Sequence, residues 1–162
     1  MKELRSYAIL DTAPELPFEQ LVELTAQVCE APMAAVSLLD EQRQWFKAAY
    51  GLNAREMDIA LSFCQHAIEQ RGLYLIEDAA THPLFHDNPL VTGELGVRFY
   101  AGYPLVTPAG HALGTLFVMD QHSRTLTDRQ AQQLKTLTDQ TMVALELHRQ
   151  RLLLQQQLGQ QA

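Results

Sequence analysis

Two pairs of strand-like segments, each closed by a turn too short to hold a helix, constrain this chain more than any other feature. The stretch PMAAVSLLD (32–40) is apolar on both faces and bounded by a proline and an acidic cluster, the pattern of a buried strand. Asp40, Glu41, Gln42 and Arg43 then turn the chain into QWFKAAY (44–50). Further on, RFYAGYPLVT (98–107) and ALGTLFVMD (112–120) are joined by PAGH, whose Pro and Gly suit a hairpin. Parallel neighbours need a crossover of about a dozen residues, so both pairs are antiparallel and a doubly wound parallel sheet is excluded.

Helical patterns frame these strands. Phe18, Leu21, Val22, Thr25, Val28 and Cys29 fall on one stripe of an amphipathic helix, with Cys29 as a core thiol. LYLI (73–76) is a further strand candidate, and residues 78–91, punctuated by Pro and Asp, form an irregular region. The order is helix, two strands, short helix, strand, loop, two strands, long helix. An α+β fold, an antiparallel sheet with helices gathered on one side, accommodates it.

At the end, Thr127 and Gln130 make a capping box, and no Gly or Pro interrupts the pattern from there to Gln157. Such a helix spans on the order of 45 Å, longer than a small domain needs. Leu134, Leu137, Ala144 and Leu145 can pack on a core, whereas Leu147, Leu154 and Leu158, with Arg151, suggest a narrower seam beyond it. That seam implies a second copy, as a homodimer through terminal helices, or a following domain. The expected division is a lead-in over 1–16, a domain over 17–147 and a helical extension over 148–162.

The 162 residues carry a formal net charge of −7, and the 12 Lys and Arg form no cluster, which argues against nucleic acid as a partner. The longest apolar runs, such as MAAVSLL (33–39), fall far short of the roughly 20 residues of a membrane helix. The start, MKELRSYAILD, lacks a signal-peptide core, so a cytoplasmic setting is expected. Two cysteines make no disulfide framework.

The reactive atoms sit in SFCQHAI (62–68), where Ser62 and Gln65 fit a capping box for a short helix starting at Phe63. Residues two apart on a helix diverge by about 200°, so Cys64 and His66 are not a dyad. Cys64 shares the apolar face with Ala67 and Ile68 as a packed thiol; alternatively the first helical turn favours its thiolate and makes it reactive. His66 borders that face, where it binds a ligand or a backbone carbonyl. In THPLFHD (81–87), His82 and His86 stand at i, i+4 beside Asp87, but no third metal ligand can be assigned. The alternative is surface polarity around a buried Leu84–Phe85 anchor. On the strands, Phe99, Ala101 and Tyr103 share one face, with Tyr100 and Gly102 on the other, and facing strands carry Ser37 and Thr115 among apolar neighbours.

Several stretches in order, ILDTAPE (9–15), VSLLDEQRQWFKAAYGL (36–52), SFCQHAI (62–68), NPLVTG (88–93), RFYAGYPLVTPAGHALGTLFVMD (98–120) and LTDRQAQQL (126–134), resemble a GAF domain, the ligand-sensing module of bacterial sensory proteins. The resemblance implies a five- or six-stranded antiparallel sheet, with the first and last helices on one face and a pocket on the other, under the irregular segment and the short helix. It implies a role in regulating a histidine kinase, a GGDEF cyclase or an EAL phosphodiesterase, in cis or in trans; no motif of these outputs occurs in the chain. The candidate ligand-binding residues are Ser37, Trp45, Phe46, Cys64, His66, Asp78, Phe85, Phe99, Tyr100, Tyr103 and Thr115. No catalytic residue, metal or cofactor is expected, and the ligand is an unidentified small molecule. The methionine-sulfoxide reductase branch of the family uses cysteines around the pocket, but residues 78–98 contain none. Bilin attachment asks for Cys followed directly by His, and here Gln65 intervenes. Phe117 with Asp120 is only a fragment of the cyclic-nucleotide signature. A structural dimerisation module and a thiol sensor at Cys64 stand as the alternatives.

Overall fold

The computed structural model describes residues 4, 7–13, 15–41, 43–58 and 63–161, residues 160 and 161 by their backbone alone. In chain order the elements are α1 (Leu16–Cys29), β1 (Met33–Leu39), β2 (Arg43–Tyr50), β3 (Glu56–Asp58), α2 (Cys64–Ala67) and β4 (Tyr74–Ile76). A 3-10 turn (Ala79–Thr81), α3 (Pro89–Thr92), β5 (Phe99–Val106), β6 (Ala112–Asp120) and α4 (Asp128–Gln161) complete them. The strands form one six-stranded sheet in the order β3-β2-β1-β6-β5-β4, with every pair antiparallel.

Both hairpins form where the sequence puts them. The first closes on Asp40, whose carboxylate accepts the Arg43 N–H at 2.9 Å while its own N–H donates to the Arg43 carbonyl at 3.0 Å. In the second, Thr107 N–H donates to the His111 carbonyl at 2.8 Å, and Gly110 takes the left-handed φ of +91° that the turn requires. Strand β3 has only three residues, too few and too polar to leave a period-two signal, and sequence reasoning missed it.

The sheet separates two cores. On one face α1 and α4 cover Ala34, Val36, Leu38, Trp45, Phe99, Ala101, Leu116 and Val118. On the other, α2, α3 and Phe85 cover Met33, Ala35, Phe46, Tyr100, Phe117 and Met119. Central β1 is therefore buried along its whole length, which is why its sequence shows no alternation. Arg124 ties the helix layer to the sheet: it donates to the Cys29 and Glu30 carbonyls at 2.7 Å each, covering the C-terminal end of α1, and lies over the Phe99 ring at 5.1 Å.

A bulge in the β1–β2 pairing sets Ser37 opposite Phe46 and Val36 opposite Ala48, so Lys47 is the extra residue. Its fully buried side chain reaches the N-terminal segment, where Thr12 Oγ1, the Ala13 carbonyl and Glu15 Oε2 each lie 2.7 Å from the ammonium. Two hydrogen bonds and an ion pair thus compensate the buried ammonium, which is what burying a lysine demands. The same segment buries Leu4, Tyr7 and Ile9, and the Tyr7 hydroxyl donates to Glu146 of α4.

Helix α4 opens with the capping box read from the sequence: Thr127 N–H donates to Gln130 Oε1 and Gln130 N–H to Thr127 Oγ1, both at 3.0 Å. Its 34 residues span about 50 Å. Leu134 and Leu145 are fully buried, whereas Leu147, Leu154 and Leu158 are exposed. No helix among the described residues is long and apolar enough to cross a membrane.

At Gly114, beside Leu38 in the β1–β6 pair, a Cβ would lie 1.9 Å from the Ser37 carbonyl oxygen. Gly114→Ala is expected to cost about 3 kcal/mol or more in urea unfolding, because that oxygen belongs to the central strand and cannot retreat. Gly72 has nothing within 4 Å of its Cβ position and serves as control. Gly72→Ala should change stability by less than about 0.5 kcal/mol.

Candidate functional site

The register of the central strands sets Ser37 beside Thr115, both fully buried and both on the face away from α1 and α4. Period-two alternation brings Gln44 of β2 and Tyr100 of β5 to the same face. Cys64 comes down onto them from the roof, where one helical turn is held by the Phe63 carbonyl accepting the N–H groups of His66 at 3.1 Å and Ala67 at 3.2 Å. The expected Ser62 cap lies outside the described residues.

These five side chains form one hydrogen-bonded cluster around the thiol. Gln44 Nε2 donates to Cys64 Sγ at 2.9 Å, and Thr115 Oγ1 lies 2.9 Å from the sulfur. Ser37 Oγ and the Tyr100 hydroxyl each stand 3.2 Å from it. Ser37 and Thr115 also meet each other at 3.0 Å. Buried polar groups left without partners would cost about 1–3 kcal/mol each, so mutual satisfaction is what lets five of them share an apolar core. Burial, and next the neighbouring thiol, push the Tyr100 phenol well above its ordinary 10.0, which keeps it a neutral donor.

Aromatic rings surround the cluster. Tyr100 stacks on Phe117 at 5.2 Å and meets Phe63 at 5.3 Å, and Phe63 meets Phe85 edge-on at 4.4 Å. The Tyr100 hydroxyl lies across Gly102, where a Cβ would come within 2.9 Å of it. A cavity of about 10 Å³ remains, lined by Gln44, Met57, Phe63, Cys64, Leu90, Tyr100, Phe117 and Met119, room for one water molecule.

Of the residues singled out from sequence, Ser37, Cys64, Tyr100 and Thr115 meet in the cluster, and Phe46 and Phe85 pack around it. Trp45, Phe99 and Tyr103 do not belong there: they pack into the core under α1 and α4. Each neighbours a site-facing residue along its strand or stands an odd number from one, so alternation turns it away. Asp78 caps the 3-10 turn, accepting the Ala80 N–H at 3.1 Å. The half-buried His66 sets its ring edge against Phe85 at 5.3 Å and is not a partner of the sulfur. His82 Nδ1 accepts the Leu84 N–H at 3.1 Å. Phe85 is the anchor of that loop, and Leu84 is exposed. Sequence reasoning missed Gln44, Phe63 and Phe117. The signal was present: Gln44 stands two residues before Phe46, Phe117 two after Thr115, and Phe63 next to Cys64.

One antiparallel sheet with terminal helices on one face and a roofed polar cluster on the other defines a class of α+β domain. Residues 14–145 match the GAF domain family, and the chain belongs to it. It is 41% identical over 116 residues to a cyclic di-GMP phosphodiesterase of Pseudomonas aeruginosa, covering 72% of this chain and 20% of that protein. The chain thus spans about a fifth of that relative's length. The fold also matches the blue-light-absorbing form of the PixJ GAF domain of Thermosynechococcus elongatus, with TM-score 0.65, 17% identity and coverage of 99% and 95% of the two chains. Free methionine-R-sulfoxide reductase of Neisseria meningitidis, solved with its substrate, matches with TM-score 0.67, 15% identity and coverage of 91% and 87%.

The two thiols lie on opposite faces of the sheet, Cys64 in the cluster and Cys29 under the helices. Burial raises Cys29 from 9.0 to about 11, and burial with the Glu146 contact raises Tyr7 from 10.0 to about 12. Folding favours the neutral form of both, so the stability they contribute is complete below about pH 9 and is lost as pH climbs toward 12. Melting temperatures should be level from about pH 7 to 8.5 and fall above about pH 9, less steeply in Cys29→Ala. A level profile to about pH 11 would contradict this burial.

Proposed function

We propose that this chain is a non-catalytic sensory GAF domain that binds a small molecule at the Cys64 cluster and regulates an output domain through α4. The observation that carries this reading is the cluster itself: five uncharged polar groups, each at most 2% exposed, converge on the face opposite the signalling helix. Plain packing is served as well by apolar residues, so such a group of donors and acceptors suits recognition. A ligand shifts the domain only by favouring one packing over another.

The output would be a kinase, a GGDEF cyclase or an EAL phosphodiesterase, in cis or in trans. The relative named as a cyclic di-GMP phosphodiesterase supports an output in cyclic dinucleotide turnover. Pairing with a second copy, in the cytoplasm, is part of the proposal. It is supported by exposed Leu147, Leu154 and Leu158, which with Arg151 follow spacings of four, three and four, the repeat of a two-helix seam. The non-catalytic reading is supported by the position of Cys29, which cannot resolve an oxidised Cys64 from across the sheet.

The small cavity, about 10 Å³, favours a second reading, a pairing module whose pocket is filled by its own side chains. Native mass spectrometry of freshly purified protein separates the two. A chain carrying a small molecule that is lost on denaturation is the expected result. A bare chain in every preparation, with no metabolite raising the melting temperature, would hand the site to the second reading.

A further inference from the structure

The charge of the ligand can be read from the site, given that the Cys64 cluster is a ligand site at all. Of the cluster, the amide of Gln44, the phenol of Tyr100 and the thiol of Cys64 line the cavity, while the Ser37 and Thr115 hydroxyls are not among its lining groups. None of the described residues lining the cavity is a lysine, arginine, histidine, aspartate or glutamate. His66 and His82 set their rings against Phe85, which is not among the lining residues. A carboxylate or phosphate brought here would lose its water with no cation to replace it, a cost far above that of a neutral group. An ammonium would meet no carboxylate, and the Tyr100 and Phe117 rings already lie stacked on one another.

Gln44 supplies a second constraint. Its Nε2 is committed to Cys64, while its Oε1 accepts no hydrogen bond from any described residue, in a side chain that is 2% exposed and lines the cavity. As the carbonyl oxygen of a lining side chain, Oε1 is available to a donor on a ligand. The remaining walls, Met57, Phe63, Leu90, Phe117 and Met119, are aromatic or flexible and apolar, surfaces that suit a flat ring. The floor belongs to central strands, but the roof hangs on α2 and α3, helices of four residues each. Elements with so few backbone hydrogen bonds open at low cost, and this gives a ring larger than the present cavity a way in.

We propose that the site takes an uncharged planar aromatic or heteroaromatic molecule bearing an N–H or O–H group, with that donor on Gln44 Oε1 and its ring under Phe63. Charged relatives of the same ring are excluded, cyclic nucleotides among them.

Indole, indole-3-carboxylate and tryptamine present one ring in neutral, anionic and cationic form. Each is titrated into the full 162-residue chain while the Gln44 side-chain amide is followed by NMR and the melting temperature is recorded. Indole should shift that resonance, raise the melting temperature and bind at least about tenfold more tightly than either charged analogue, a difference of about 1.4 kcal/mol. Gln44→Met, which keeps the shape and removes the acceptor, should weaken indole by about fivefold or more while the chain stays folded. Either charged analogue binding as tightly as indole overturns the charge rule and leaves the sensory reading standing. Unchanged indole affinity in Gln44→Met overturns the seat. If none of the three binds, this inference fails, and the sensory reading fails with it only when native mass spectrometry also yields a bare chain.

Discussion

The pairing of β1 with β6 sets Ser37 against Thr115, and the site depends on that register. Side chains alternate across a sheet, so a slip of one residue would turn one strand over, carrying Ser37 or Thr115 into the core under the helices and bringing an apolar neighbour such as Val36 or Leu116 to the roofed face. Two local features hold the register. Gly114 lets β6 approach the Ser37 carbonyl more closely than any side chain allows. The double-sided burial of β1 gives each of its residues a partner in one core or the other.

The same strands couple the two faces. Strand β2 presents Gln44 and Phe46 to the site, and its bulge then turns Lys47 toward the opposite layer. There the ammonium grips the N-terminal segment through Thr12, Ala13 and Glu15. That segment is in turn held to α4, by Tyr7 on Glu146 and by Glu15, 3.9 Å from His148. A shift of β2 on the roofed face therefore has a connected path to the middle of α4, ahead of the exposed leucines. Under the proposed function, this is the route by which an occupied site would alter the packing of the signalling helix.

Much of this was legible in the sequence because the signals were local. Short turns dictated the hairpins, and the Thr127–Gln130 capping box appears as two reciprocal hydrogen bonds. Helical geometry alone separated Cys64 from His66. What escaped was set by tertiary context. Three-residue β3 is held by pairing with residues 43–45, not by its own pattern. Trp45, Phe99 and Tyr103 carry the aromatic character of a binding wall, yet which face of a sheet receives the helices cannot be read from a strand by itself. Gln44 reads as the polar start of a strand until its partner turns out to be the thiol of the roof helix.

Coupling across the sheet can be measured by backbone hydrogen exchange, comparing the free chain with the chain saturated with indole. Occupancy should slow exchange in the roof, over 63–67 and 89–92, and also change it in α4 over about 141–150, the stretch that Tyr7 and Glu15 reach. A change confined to the roof, with α4 exchanging at its free rate, would contradict the coupling.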